Sequence, residues 1–281
     1  MKQALFAAAV CVIGGAAVAA FNATAQTTAP SGAAIDEPAR SAAWRRGAEL
    51  ADSGECASCH SANPDAPAYG GALIDDWYAP AINAEPDAPL PWTADELYAF
   101  LRTGSSPRHG VAIGPMSEVV HGQLATLPDD DITALAIYFA DLGGAPDDVA
   151  VDDVAAAMEP AAGFALNFPY TRGGWLYIGY CVSCHHYNQP DGPDAERPDI
   201  GLNTGVTAPD PTNLIRVMLS GVTEAEGDPE AYMPGFGMLL SDRDIADIAG
   251  YLRAAYAPGA EPWDAIEPRI AELRRLNAPM R

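Results

Sequence analysis

The chain has 281 residues, enough for about two domains at roughly 150 residues each, and with 49% hydrophobic and 19% charged residues it is globular, not a low-complexity or disordered polymer. Fifteen Lys plus Arg against 38 Asp plus Glu give a net charge of −23. That charge argues against a surface built to grip nucleic acid phosphates or anionic lipid headgroups.

At the start of the chain, Met1-Lys2 leads into an Ala- and Val-rich apolar run from Ala4 to Phe21, followed by the small-x-small triplet Ala23-Thr24-Ala25. This predicts a signal peptide over residues 1–25 that is removed on export to the periplasm. The run is 18 residues long, just enough to cross a bilayer, so an uncut anchor is the alternative. Lys2 is the only lysine, and cleavage would leave 14 basic and 38 acidic side chains, a net −24. Next, Trp44, Gly47, Ala48 and Ala51 mark a first helix whose small residues suit a close crossing with another helix.

Of five cysteines, Cys11 would leave with the signal peptide. The other four stand as Cys56-Ala57-Ser58-Cys59-His60 and Cys181-Val182-Ser183-Cys184-His185, the same C-x-x-C-H pattern 125 residues apart. This is the attachment pattern of haem c. Two residues between the thiols let both reach the vinyl groups on one porphyrin edge, and the following histidine is carried beneath the ring to ligate the iron. A zinc ribbon or a redox dithiol is the alternative, but neither needs the trailing histidine, and a ribbon brings its halves closer than 125 residues. No cysteine remains outside the motifs for a disulfide framework.

Downstream of the first motif, Thr93-Ala94-Asp95-Glu96 reads as a capping box, and Leu97, Phe100, Leu101 and Gly104 follow at i, i+3, i+4 and i+7. Met116 sits in Gly114-Pro115-Met116, and Ile132, Leu135, Ala136 and Phe139 then form another helical face. From Gly144 the chain is rich in Ala, Asp and Pro, which predicts a linker over 144–170. The pattern then repeats. Trp175, Ile178 and Gly179 mark a helix before the second motif. After it, Asp210 reads as a cap with Pro211 at the first helical position, followed by Leu214, Val217, Met218 and Gly221. Met233 occurs in Met233-Pro234-Gly235, and Ile245, Ile248, Ala249 and Leu252 repeat the last face. Leu97 to Leu214 and Met116 to Met233 share one offset of 117 residues, so the two methionines correspond.

A thioether is a soft neutral donor that favours ferrous iron, and proline beside each methionine fixes the backbone of its loop, so Met116 and Met233 are the candidate sixth ligands. The rivals are His109 and His121 in the first half, either of which could instead bond a propionate, and Met238 in the second. His186 takes no ligand role. In the tail, 257–281, Ile266, Ile270 and Leu273 can line a last helix with Arg274 and Arg275 near its end, docked on this chain or on a partner.

Beyond the haem motifs, the stretches Trp77-Tyr78-Ala79-Pro80, Trp92 to Leu97, Gly114 to Val120, Thr207 to Leu214 and Met233 to Phe236 resemble the cytochrome c subunits of membrane-bound alcohol, gluconate, sorbitol and fructose dehydrogenases. The resemblance covers roughly residues 40 to 256. Members of that family usually carry three haem domains, and this chain resembles the second and third, with no hydrophobic anchor evident at the C-terminus. It implies an all-α protein of two tandem class I cytochrome c domains, 40–143 and 171–256. One haem c would be held by Cys56, Cys59, His60 and Met116, the other by Cys181, Cys184, His185 and Met233. Such a protein would carry electrons from a periplasmic dehydrogenase of quinone, flavin or molybdenum type to a quinone, soluble cytochrome or oxidase, with membrane association through the complex. Catalytic residues are not expected in this chain, since two six-coordinate irons leave no open position. The alternatives are a dihaem oxidase subunit that keeps its anchor, and a dihaem peroxidase, in which one methionine would have to leave its iron.

Overall fold

Helix-forming signals become helices where the sequence places them, in a computed structural model that describes residues 41–84, 87–106, 108–144, 171–185, 200–222 and 233–276. The signal segment, Cys11, His186 and the linker beyond Gly144 lie outside the described residues. Helix α1 (Ala42–Ser53) begins where the Ser41 side chain accepts from the Trp44 N–H. The haem motif forms the single turn α2 (Cys56–His60), and the Thr93/Glu96 capping box opens α3 (Ala94–Thr103), which Gly104 ends in a left-handed conformation. After the short α4 (Pro115–Glu118), α5 (Asp129–Leu142) buries Ile132, Leu135, Ala136 and Phe139. The expected close crossing is between α1 and α5: a Cβ on Gly47 would collide with the Ala134 carbonyl. The pair is tied at its edges by Trp44 Nε1 to Asp141 at 2.7 Å and by the Arg46 fork to Asp131 at 2.8 and 2.9 Å.

The carboxy-terminal half repeats this plan with α6 (Arg172–Tyr180), α7 (Thr204–Thr207), α8 (Thr212–Ser220) and α9 (Asp242–Tyr256). Two details correct the sequence reading. In α6 the buried face is Gly173, Gly174 and Tyr177, while Trp175 is 59% exposed. Gly173 is the crossing residue, abutting the Asp247 carbonyl, and Gly179 has open space around it. Matching Trp44 to Trp175 misses the match of Gly47 to Gly173 by five residues, about 1.4 turns. In α8 the helix starts at Thr212, with Pro211 itself at the cap, though the Asp210 side chain does accept from the Thr212 N–H at 2.8 Å. The tail forms α10 (Ile266–Leu276), which docks on this chain. Ile270 and Leu273 are fully buried in one core with Ile215, Ile245 and Ile248, and Arg274 reaches Asp242 at 2.6 Å and the Leu240 carbonyl at 2.8 Å.

The protein is mostly helical, with three two-stranded antiparallel sheets among the described residues: β1 (Ala72–Ile74) with β2 (Trp77–Ala79), β3 (Ser105–Ser106) with β4 (Gly110–Val111), and β5 (Gly221–Val222) with β6 (Met233–Pro234). Strands of two or three residues are too short to show alternation, so the all-α reading missed them. The described residues all fall in one compact unit spanning Asp36 to Arg281. The halves meet where Asn213 brackets Tyr78, accepting from its N–H at 3.0 Å and donating to its carbonyl at 2.7 Å. Beside it Arg216 lies 4.6 Å from the Trp77 ring centre and 3.4 Å from the Asp76 carboxylate.

Candidate functional site

One continuous cavity of about 1110 Å³ is lined by all eight predicted site residues: Cys56, Cys59, His60 and Met116 from the first half, Cys181, Cys184, His185 and Met233 from the second. Ordinary small-molecule sites occupy roughly 300–1,000 Å³, so this space exceeds one common ligand. Its walls include Leu101, Leu135, Phe139, Val206, Met218 and Leu252, an apolar lining suited to a flat hydrophobic group.

In the first half, the α2 turn puts Cys56 and Cys59 at i and i+3, on one side of the turn, with His60 one residue further. The His60 ring Nδ1 lies 2.7 Å from the Pro80 carbonyl oxygen. A carbonyl only accepts, so Nδ1 carries the proton and Nε2 keeps the lone pair that a metal needs. Burial lowers the His60 pKa below its ordinary 6.5, which keeps the ring neutral at pH 7. Burial likewise raises the Cys56 thiol pKa and pushes Cys181 up to about 11. Both are therefore protonated in the metal-free chain, the state of a thiol awaiting covalent attachment. The four described cysteines are free, and among the described residues no group of three or more His, Cys, Asp or Glu side chains is placed to hold a metal ion. The donors present, neutral imidazole and thioether with two thiols at the rim, fit haem c and do not fit a zinc ribbon.

Met116 lies in the first turn of α4, not in a loop, and packs on the first core cluster. Met233 lies on β6, half-buried, paired with Val222. Among the rivals, Met238 is 97% exposed, and neither it nor the exposed His121 lines the cavity. His109 does line it: its side chain is fully buried, stacked 3.6 Å from the Trp92 ring centre, with Nε2 3.6 Å from Glu96. Its Nδ1 has no hydrogen-bond partner among the described residues, which suits a propionate oxygen at the cavity edge. Sequence reasoning missed Trp77, Tyr78 and Asn213 as cavity-lining residues that join the halves. The signals available were the Trp77 to Pro80 and Thr207 to Leu214 stretches, which contain all three.

Residues 169–252 match the family model for cytochrome c oxidase, cbb3-type, subunit III. Over 246 residues, 85% of this chain, it is 37% identical to a nicotinate dehydrogenase chain of Pseudomonas putida, covering 20% of that protein. It is 31% identical over 233 residues to the fructose dehydrogenase cytochrome subunit of Gluconobacter japonicus, covering 74% of this chain and 48% of the relative. It is 33% identical over 247 residues to the gluconate 2-dehydrogenase cytochrome c subunit of Pantoea cypripedii, covering 79% and 54%. The chain thus spans about half the length of these cytochrome subunits and a fifth of the nicotinate dehydrogenase chain. It carries a cytochrome c domain, and its homologues include the cytochrome subunits of fructose, gluconate and quinone alcohol dehydrogenases.

Proposed function

We propose that this chain is a dihaem c-type cytochrome that accepts electrons one at a time from a dehydrogenase subunit and passes them to a quinone, a soluble cytochrome or an oxidase. Its two tandem class I cytochrome c domains would be residues 40–143 and 171–256. Cys56 and Cys59 would attach one haem, with His60 and Met116 as axial ligands, and Cys181, Cys184, His185 and Met233 would hold the other. The carrying observation is that both sets line one continuous cavity.

The bound haem supplies reversible one-electron chemistry at iron. This chain would supply two thiols per attachment edge, a neutral imidazole whose Nδ1–H donates to the Pro80 carbonyl, a soft thioether, and apolar walls that exclude water. The partner is a dehydrogenase of a small organic substrate, of the kind that nicotinate, fructose and gluconate represent among the relatives. The site of action is the periplasm, after removal of residues 1–25. Among the described residues no helix is long and apolar enough to cross a membrane. At −24 the mature chain would meet a locally basic partner face, with association that weakens in salt.

The test is haem stoichiometry with the near-infrared sulfur-to-iron band of the oxidised protein, repeated for Met116→Ala and Met233→Ala. Two haems and a band that halves in each variant support two His/Met carriers. A band untouched by one change, or a high-spin iron in the unaltered protein, moves the assignment toward a peroxidase. The family description matched by residues 169–252 favours a second reading, a dihaem oxidase subunit. That reading keeps residues 1–25 as an anchor, so the mass of the mature N-terminus separates the two.

A further inference from the structure

The peptide unit between Pro80 and Ala81 is hydrogen-bonded at both ends. Its carbonyl lies 2.7 Å from His60 Nδ1, and its N–H donates to Asp87 Oδ2, also at 2.7 Å. The carboxylate, the amide and the imidazole therefore form one line, Asp87 to Ala81 N–H, Pro80 carbonyl to His60. The two halves of an amide are conjugated, so an anion on the N–H pushes electron density onto the carbonyl oxygen and makes it a stronger acceptor. We propose that Asp87 is a positioning residue for His60, acting through this single peptide bond to make the imidazole a stronger electron donor and so lower the potential of the first haem alone.

The surroundings of Asp87 suit a charged group held in place. The same Oδ2 accepts from the Tyr78 hydroxyl at 2.9 Å, and the Asp87 carbonyl accepts from Thr207 Oγ1 at 2.6 Å. Burial raises the Asp87 pKa above the usual carboxylate value, and the donors Ala81 and Tyr78, with the charge of Arg253, act against it. Arg253 is itself fixed by the carbonyls of Val206, Thr207 and Ala208 at 2.8, 2.6 and 3.0 Å. Both Thr207 and Arg253 belong to the second half. The His60 side of the first site is thus braced by residues that follow the second haem motif. Carboxylates that hold a ligating histidine directly are a common way to raise ligand basicity; here the same effect passes through one amide.

The inference rests on the dihaem reading, and a pair of variants separates it from a merely structural role. Asp87→Asn keeps the shape and removes the charge. Tyr78→Phe removes the donor that shares Oδ2, leaving more of the negative charge for Ala81, while Asn213 still holds the Tyr78 backbone. The readouts are haem content, the near-infrared sulfur band and both midpoint potentials by spectroscopic titration. Asp87→Asn is expected to raise one potential, the one that Met116→Ala also moves, changing the electron-sharing ratio between the irons by about tenfold, equivalent to about 59 mV. Tyr78→Phe is expected to lower the same potential by less. Shifts of the same sign in both variants, equal shifts at both haems, or none would overturn the relay. One haem or none in the unaltered protein would overturn the dihaem reading beneath it and the relay with it, so the two failures are told apart by haem content.

Discussion

The two halves use one set of parts, a helix, a C-x-x-C-H turn, a helix, a methionine and a last helix, and finish them differently. The first is closed: its histidine is locked to Pro80, its methionine sits in a helical turn, and Trp77, Tyr78 and Asp87 lie against the second half. The second is open: Cys184, Pro234 and Gly235 are exposed, as are Tyr180 at 41%, Leu239 at 69% and Met238 at 97%. The matched family model covers residues 169–252, in the second half, and the first half carries the β1/β2 hairpin between its haem motif and its next helix. A repeated sequence pattern therefore yields the common parts of both halves, while their described surroundings differ in burial.

The helix crossings offer the largest perturbation of this pair. Gly47→Val and Gly173→Val each drive a branched side chain into a facing carbonyl, of Ala134 or Asp247, at a cost of about 3 kcal/mol or more. Because the halves share a junction and a cavity, each variant is expected to lower the melting temperature and the haem content of both halves together. Melting followed at each haem would show it, and loss confined to the mutated half would mean that the halves fold independently.

Next in size is Arg274→Ala. Arg274 bonds the Asp242 carboxylate at 2.6 Å and the carbonyls of Gly237 and Leu240, just beyond the Met233 segment. Hydrogen bonds made by a charged group are worth about 1.5–3 kcal/mol, so a loss of about 2 kcal/mol is expected. The effect should fall on the second site, weakening the sulfur band by up to half and leaving the first potential unchanged. Asn213→Ala is smaller, about 1–2 kcal/mol for two backbone hydrogen bonds to Tyr78. Its sign of success is qualitative: one cooperative calorimetric transition should split into two as the halves come apart.

The haem motifs, the capping box and the buried faces of α3, α5 and α9 were legible because each depends on residues within one or two turns of one another. That Met116 and Met233 would both line the cavity was legible through the repeat and the proline beside each, since a methionine alone reads as a core residue. Three things were not legible. The Gly173 crossing depends on which face of α6 meets α9, and the small sheets have too few residues to carry a period. The junction pairs Tyr78 with Asn213 across 135 positions, a contact that no local pattern announces. Asp87 belongs to the same class: in the sequence it is one acid among 38, and only the fold puts it beside the peptide that holds His60.

The smallest expected effect concerns acid stability of the first half. The Glu96 side chain is 14% exposed and receives the Thr93 N–H and hydroxyl at 3.2 and 2.8 Å, with Arg108 at 3.2 Å and His109 at 3.6 Å. Burial alone would raise its pKa, but the nearby His109 and the bonds from Thr93 prevail and bring it from 4.5 to about 2. A carboxyl whose pKa is depressed on folding binds fewer protons in the native state than in the unfolded one. Its contribution is therefore complete above about pH 4.5 and is lost as the pH falls toward about 2. Discounted for solvent screening, the contribution is on the order of 1 kcal/mol. Urea unfolding of the unaltered protein and of Glu96→Gln should differ by about that amount at neutral pH and converge between about pH 4.5 and 2. The second half has capping acids of its own, Asp210 before α8 and Asp244 in the first turn of α9, and Glu96→Gln leaves both intact, so the convergence should appear in the signal of the first haem. A gap that stays constant down to about pH 2 would show that Glu96 acts there as a packed hydrogen-bond acceptor whose charge contributes nothing to stability.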